Sequence, residues 1–231
     1  MKSASAPATP LDQRRNLGDG ADKRRYADQA YDKLEAMIST LVLRPGAPIV
    51  ESELIAHTGL GRTPTREALM RLVASGLIVQ QPRRGLLVSD IRLAEHLDLL
   101  EARRVLERLI AATSARRATP QQRQDLLGSA EQMMAAAQAS DLPSYMAADQ
   151  ALDHVNHAAC RNIFAAAAVV PMAIQCRRFW YAYQHQGDMH EGARCHLGLA
   201  QAIAAGEPTA AAAASDALLD YLRHYAQAVI A

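Results

Sequence analysis

Residues 51–84 read ESELIAHTGLGRTPTREALMRLVASGLIVQQPRR, and this stretch decides the fold. Glu51 to His57 forms a short amphipathic helix whose apolar residues are Leu54 and Ile55. Thr58-Gly59-Leu60-Gly61 comes next, and two glycines in three positions favour a turn over a continued helix. Thr63 can then cap a second helix, with Pro64 at its first position, where the missing N–H costs nothing. Leu69, Leu72 and Val73 have the spacing of one buried face. Arg62 and Arg66 stay on the other side, near the positive end of the helix dipole. Gly76 ends the helix, and Leu77 to Gln80 and Gly85 to Val88 read as two strands joined by Gln81-Pro82-Arg83-Arg84.

A helix of this length fits the major groove with its N-terminal residues nearest the base edges. Arginine there can fork onto a guanine or clamp a phosphate. A hairpin beside a helix-turn-helix is a wing, whose tip arginines would lie against phosphates or a minor groove. The pattern nominates Arg62, Thr63, Thr65 and Arg66 at the helix start, and Arg83 and Arg84 at the hairpin tip, as contacts to double-stranded DNA. Charge distribution agrees. Net charge is only +1, but residues 60–85 hold five arginines against one glutamate, a local positive patch where duplex binding needs it.

Working outward, residues 1–24 are Ala/Pro/Ser/Thr-rich and then charged, with no periodic apolar face, and read as a flexible tail. Ala30, Leu34, Met37, Ile38 and Leu41 give a helix from Tyr26 to Leu43, stopped by Arg44-Pro45-Gly46. A domain boundary falls near residues 90–92, giving a winged helix over 25–90 and a helical domain over 91–231. The second part reads as six or seven antiparallel helices packed as a bundle, with Thr119-Pro120, Asp141 and Gly187-Asp188 as starts, and Pro171 kinking or splitting one helix. Leu93, Leu97, Leu100, Leu106, Leu109 and Ile110 supply the apolar residues of its first helix. Half of the 231 residues are hydrophobic and aromatics make up 4%, which favours close-packed helices over a sheet-rich fold. The fold class is therefore mainly α: an N-terminal winged helix-turn-helix with a small hairpin, then an all-α bundle.

Cys160, Cys176 and Cys195 are odd in number and widely spaced, as reduced cytoplasmic thiols are. No apolar run reaches transmembrane length and no signal-peptide core stands at the start, so the expectation is a soluble cytoplasmic protein without a membrane partner.

Three segments carry a family resemblance: Ile49-Val50-Glu51-Ser52-Glu53-Leu54, Gly61-Arg62-Thr63-Pro64-Thr65-Arg66-Glu67-Ala68-Leu69, and Gly76-Leu77-Ile78 through Arg84-Gly85. Together they resemble the winged-helix domain of GntR-type bacterial repressors over about residues 26–90. The rest of the chain resembles, less closely, the helical effector domain of the FadR/FCD branch. The resemblance implies a ligand-controlled, homodimeric repressor. Ser52 stands where the family usually has a DNA-contacting arginine, which implies that this contact is weakened or lost. FCD domains commonly hold a divalent metal such as zinc through an aspartate and three histidines, with a small carboxylate completing the shell. Onto this sequence the set carries over as Asp149, Asp153 (in place of a histidine) and His196, while the last histidine position falls on Leu218.

Asp149 and Asp153 stand at i,i+4 and share a helix face, as a chelating pair must. His157 is better placed than His154 to stand in for a missing ligand. His196 also sits on a stripe with Leu199, Ala200 and Ile203, so a hydrogen-bonded core histidine is an equal reading. Arg103 resembles the arginine that FCD proteins point at the effector, and a guanidinium matches a carboxylate. Its spacing equally allows an exposed ion pair with Glu107. Trp180 and Tyr183 would floor an effector pocket or belong to core or dimer interface. The reading is a ligand-responsive DNA-binding regulator, not an enzyme. Two alternatives stay open. One is a metal-dependent enzyme in the helical half, although no activated nucleophile or matched acid–base pair stands out. The other is a DNA-binding module with a purely structural helical half.

Overall fold

Glycines and a proline set the turns of the first part, and the structure obeys them closely. It is a computed structural model that describes residues 10–231, with side chains from residue 25 onward. The chain forms two units: residues up to Ile38 with Gly46–Ser89, and Ser39–Pro45 with Asp90–Ala231.

In the first unit, α1 (Pro10–Ser39) leads to α2 (Glu51–Thr58), α3 (Arg62–Ala74) and the hairpin β1 (Ile78–Gln81) and β2 (Gly85–Val88). The helix expected from Tyr26 thus starts at Pro10, and helical backbone takes over most of the tail expected over 1–24. Good helix formers such as Gln, Arg, Lys and Ala carry a helix without an apolar stripe, so periodicity did not report it. Residues 1–9, and the side chains of residues 10–24, lie outside the described residues. Ala27, Ala30, Tyr31, Leu34 and Ile38 bury one face of α1, and Leu41 turns the chain with φ 57°.

Gly59 ends α2 in the left-handed region at φ 68°, a conformation that glycine enters without steric cost. The cap of α3 is Gly61 rather than Thr63, and no side chain caps this helix. Its buried face is Thr65, Ala68, Leu69 and Leu72. Val73, expected inside, is 36% exposed, because Ala68 and Thr65 continue the i,i+3/i+4 row that Leu69 and Leu72 define. Arg71 locks α3 to α1, lying 4.0 Å over the Tyr31 ring and 2.8 Å from Asp28. The hairpin pairs Ile78 with Val88 and Gln81 with Gly85. Arg83 (φ 64°) and Gly85 (φ 76°) make the tight tip. The far edge of β2 is covered by residues 46–49, where Ile49 N donates to Leu86 O at 2.9 Å and Val88 N to Ala47 O at 2.9 Å, so the wing has no open hydrogen-bonding edge there.

In the second unit the described residues form α4 (Leu93–Arg117), α5 (Pro120–Ala139), α6 (Leu142–Ala159), α7 (Ile163–Ala182), α8 (Met189–Ala205) and α9 (Pro208–Ile230). Side chains cap most starts: Thr119 with Gln122 as a reciprocal capping box, Asp141 on Ser144 N, Asn162 on Ala165 N and Asp188 on His190 N and Glu191 N. α7 runs continuously through Pro171, so the proline does not split it. Leu126, Met133, Leu152, Phe179, Ile203 and Leu219 belong to the core. Of the stripe expected on α4, Leu100 and Ile110 are buried, whereas Leu93 and Leu109 are exposed. The positions they vacate on the inner face belong to His96, Arg103 and Glu107. Arg123 of α5 donates to Ala115 O at 2.9 Å and to Ile203 O at 2.9 Å, satisfying carbonyls at the ends of both α4 and α8.

Candidate DNA-binding surface and effector cavity

At the start of α3, Arg62 and Arg66 both reach back to Glu51 at the start of α2. Arg66 Nε donates to Glu51 Oε2 at 2.8 Å, and Arg62 Nε lies 3.5 Å from Glu51 Oε1. The guanidinium side chains stay 74% and 62% exposed for Arg62 and Arg66, so the carboxylate steers them without removing them from solvent. Thr63 is exposed. Thr65 is fully buried, and its hydroxyl donates to Gly61 O at 3.0 Å. It therefore braces the helix start and offers nothing to a partner, which corrects its nomination as a contact. Met70, one turn beyond Arg66, is 74% exposed. Arg83 and Arg84 are exposed at the wing tip, where Arg84 Nη1 donates to Gln81 Oε1 at 3.4 Å.

The second unit holds a partly open cavity of about 30 Å³, room for one or two waters. Its walls include Arg103, Tyr145, Asp149, Arg177, Trp180 and Tyr221. Tyr145 stacks on Trp180 with centroids 5.1 Å apart. A Cβ on Gly192 would collide with the Tyr145 hydroxyl, so α8 approaches there because residue 192 has no side chain. Tyr183 packs against Phe179 at 5.0 Å and is not part of the cavity wall, so only Trp180 of the two expected aromatics floors it. Tyr145 and Tyr221 complete that floor; helical spacing puts Tyr145 on an apolar stripe, and neither tyrosine is among the residues nominated for an effector.

A chain of buried charges runs along this cavity. Arg177 Nε donates to Asp149 Oδ2 and Arg177 Nη2 to Asp153 Oδ2, each at 2.5 Å. His196 Nε2 lies 3.2 Å from Asp149 Oδ1, and His196 Nδ1 lies 2.7 Å from Gly192 O. On the other flank, Arg103 Nε and Nη2 donate to Glu107 Oε1 at 3.1 and 3.0 Å, and His157 Nε2 lies 3.7 Å from the same oxygen. Both readings of Arg103 are therefore half right: it lines the cavity and it pairs with Glu107, but the pair is buried. Burial alone would raise the Asp149 and Glu107 pKa values. The facing guanidinium and the neighbouring histidine, His196 for Asp149 and His157 for Glu107, together outweigh it and hold both carboxylates well below their ordinary range. For His196, burial acts downward, yet the hydrogen bond and charge of Asp149 leave its pKa raised.

A divalent metal on Asp149, Asp153 and His196 does not fit this arrangement. Asp149 Oδ2 and Asp153 Oδ2, which it would need, already accept from the Arg177 guanidinium. Leu218, where the resemblance puts a last histidine, is buried core. Glu107, Asp153 and His157 form a second buried group with ligand-type atoms within 4.8 Å of one another, and there Arg103 is the resident cation.

A winged helix with solvent-facing arginines, joined in one chain to a helical unit whose cavity is lined by buried charged side chains, fits a DNA-binding regulator with a helical domain. Family comparison identifies the branch. Residues 26–88 match the model of the bacterial regulatory proteins of the gntR family, and residues 98–221 match the FCD domain. The chain belongs to the FCD-containing GntR family of transcriptional regulators. An uncharacterised HTH-type transcriptional regulator from the TAR-I ttuE-ttuC' intergenic region of Agrobacterium vitis is 30% identical over 153 residues, covering 65% of this chain and 86% of that protein. The HTH-type transcriptional repressor RspR of Escherichia coli K12 is 32% identical over 94 residues, 41% of each chain. The fold is shared with E. coli McbR/YncC, at a TM-score of 0.69 and 19% identity over 89% of this chain and 96% of that one. Among the described residues no helix is long and apolar enough to cross a membrane.

Proposed function

We propose that this regulator is a homodimeric repressor whose operator affinity is set by a small carboxylate in the helical unit. The observation that carries the reading is the pair Arg62 and Arg66, exposed together at the uncapped start of α3 and aligned by Glu51. Those two guanidiniums, with the free first-turn amides of α3 and Thr63, would meet base edges and phosphates. Arg83 and Arg84 would track the backbone or minor groove beside them. RspR, similar over 41% of this chain, is named a repressor, which favours repression over activation. Arg103, Arg177 and His196 around the cavity favour an anionic effector. At about 30 Å³ the cavity is small for a carboxylate, so binding would be linked to a widening of the helical unit around it. Exposed Val105 and Leu109 on α4, with Ile163 and Phe164 on α7, offer the apolar side chains that a second copy would cover.

Selection of bound duplexes from a random library, and then fluorescence anisotropy on the selected site, tests the DNA half. Arg66→Ala is expected to weaken that site by about 1–3 kcal/mol while leaving the folded state intact; unchanged affinity would remove the assignment. For the sensor half, a panel of small carboxylates should include one that raises Tm and releases the duplex together, and Phe164→Asp should shift sedimentation toward the monomer.

A further inference from the structure

We propose that Arg177 is a built-in replacement for a divalent cation: its guanidinium closes the Asp149, Asp153 and His196 group to metal ions, and removing it creates a metal site. The three side chains are of metal-ligating type, and α6 sets two of them one turn apart on a shared face. Arg177 reaches them from α7, bridging the two carboxylates with Nε on one and Nη2 on the other. A planar fork does this naturally, because its N–H groups diverge in one plane. The remaining Asp149 oxygen faces His196 Nε2, and the other ring nitrogen faces Gly192 O. The Asp149 Oδ2 and Asp153 Oδ2 lone pairs that would bind a metal are thus directed at Arg177.

The neighbouring group repeats the arrangement. Arg103 places two N–H groups on Glu107, beside Asp153 and His157, so the cation there is again an arginine. Charge gives an independent argument. Asp149, Asp153 and Glu107 supply three negative charges, and Arg103 and Arg177 already supply two positive ones. A divalent ion entering the buried cluster would leave an excess positive charge before either histidine is counted, a cost that burial magnifies. A metal can enter only if a guanidinium leaves. The inference concerns metal uptake alone and stands whether or not a carboxylate is the effector.

The test uses the full chain purified without a histidine tag, with zinc, nickel or manganese chloride as the only additive. Uptake is read by elemental analysis after desalting and by calorimetric titration. The parent should retain no stoichiometric metal, and neither metal nor chelator should move its Tm. R177M keeps the aliphatic stem and removes the fork; it should take up one ion per chain, at least about 100-fold more tightly than the parent. R177M/H196Q should lose that gain, and R177K, which keeps a cation, should show none. Stoichiometric metal in the parent, abolished by D149N or by E107Q, overturns the proposal. So does a folded R177M that binds no better than the parent. If R177M folds only with metal present, that dependence is itself the created site, and the parent titration decides independently of the variant's folding.

Discussion

Two pairs of arginines, each facing acidic side chains, behave oppositely in the two units. Arg62 and Arg66 share Glu51 at a surface where water competes for every hydrogen bond. Such pairs are worth about 0–1 kcal/mol and weaken with salt, so the guanidiniums can exchange a carboxylate for a phosphate at little cost. Arg103 and Arg177 make the same type of bond with side chains only 6% and 5% exposed. There, loss of one partner strands a charge in the interior. The same residue type is a reusable contact in one unit and a fixed internal charge in the other, and solvent decides which.

The strongest way to break this contrast is to remove one internal partner. Arg103→Leu leaves Glu107 without its main cation, and about 3–5 kcal/mol of stability should be lost. Urea unfolding monitored by circular dichroism reads it. A loss no greater than that of Arg66→Ala would mean that the buried pair is as exchangeable as the exposed one.

Next in size is an internal group kept uncharged. His96 lies flat on Phe179, with centroids 3.7 Å apart and planes 7° apart. Burial, and then the charge of Arg103, lower its pKa to about 4. A folded-state value below the unfolded one means that the unfolded chain binds the extra proton first. Stability should therefore fall as pH drops from about 6.5 toward 4, by roughly 3 kcal/mol at the low end. His196 and His157, whose values are raised, act in a different window: they add stability that is fully present below about 6.5 and is lost as pH rises above it. The parent must be compared with His96→Phe at each pH, and the variant should lack the slope that His96 contributes. Parallel pH profiles would mean that His96 is solvated despite its stacking.

Legibility in the sequence depended on the range of the interaction. Gly59, Gly61, Pro64 and Gly76 act within a few residues of themselves, so α2, α3 and the wing fall within a residue or two of their expected bounds, whereas α1, whose expected start rests on apolar periodicity, begins at Pro10 rather than Tyr26. Asp149 and Asp153 were matched on one face for the same reason. Arg177 lies 28 residues from Asp149 and on another helix; no spacing rule links them, so the sequence leaves open whether a metal or a side chain partners the carboxylates. Tyr221 reaches the cavity from α9 by the same kind of tertiary contact. Thr65 is a different case. Its i,i+4 relation to Leu69 was visible, but a threonine at the start of an arginine-bearing helix was read by residue type, and its orientation was overlooked.

That misreading yields a prediction of moderate size. Thr65→Val keeps the shape and removes the hydroxyl that donates to Gly61 O. A cost of about 1 kcal/mol in stability is expected, with the dissociation constant for the selected duplex unchanged once both proteins are folded. A weakened duplex at equal stability would return Thr65 to the contact surface.

The smallest effect bears most directly on exchange at the surface. Glu51 competes with phosphate for Arg62 and Arg66, and it also holds them in register. Glu51→Gln keeps an acceptor of nearly the same shape and removes the charge that competes. If alignment matters more, the variant should bind the selected duplex less tightly; if competition matters more, it should bind more tightly. The exposure of both guanidiniums, and the 3.5 Å separation on the Arg62 side, indicate a loose hold, so competition should prevail. Expected is a gain of about threefold in affinity at low salt, within the range of an exposed pair, shared by selected and random duplexes because a removed charge carries no sequence information. The gain should shrink as salt screens the competition. A loss confined to the selected duplex would show instead that Glu51 serves recognition by fixing where the two arginines point.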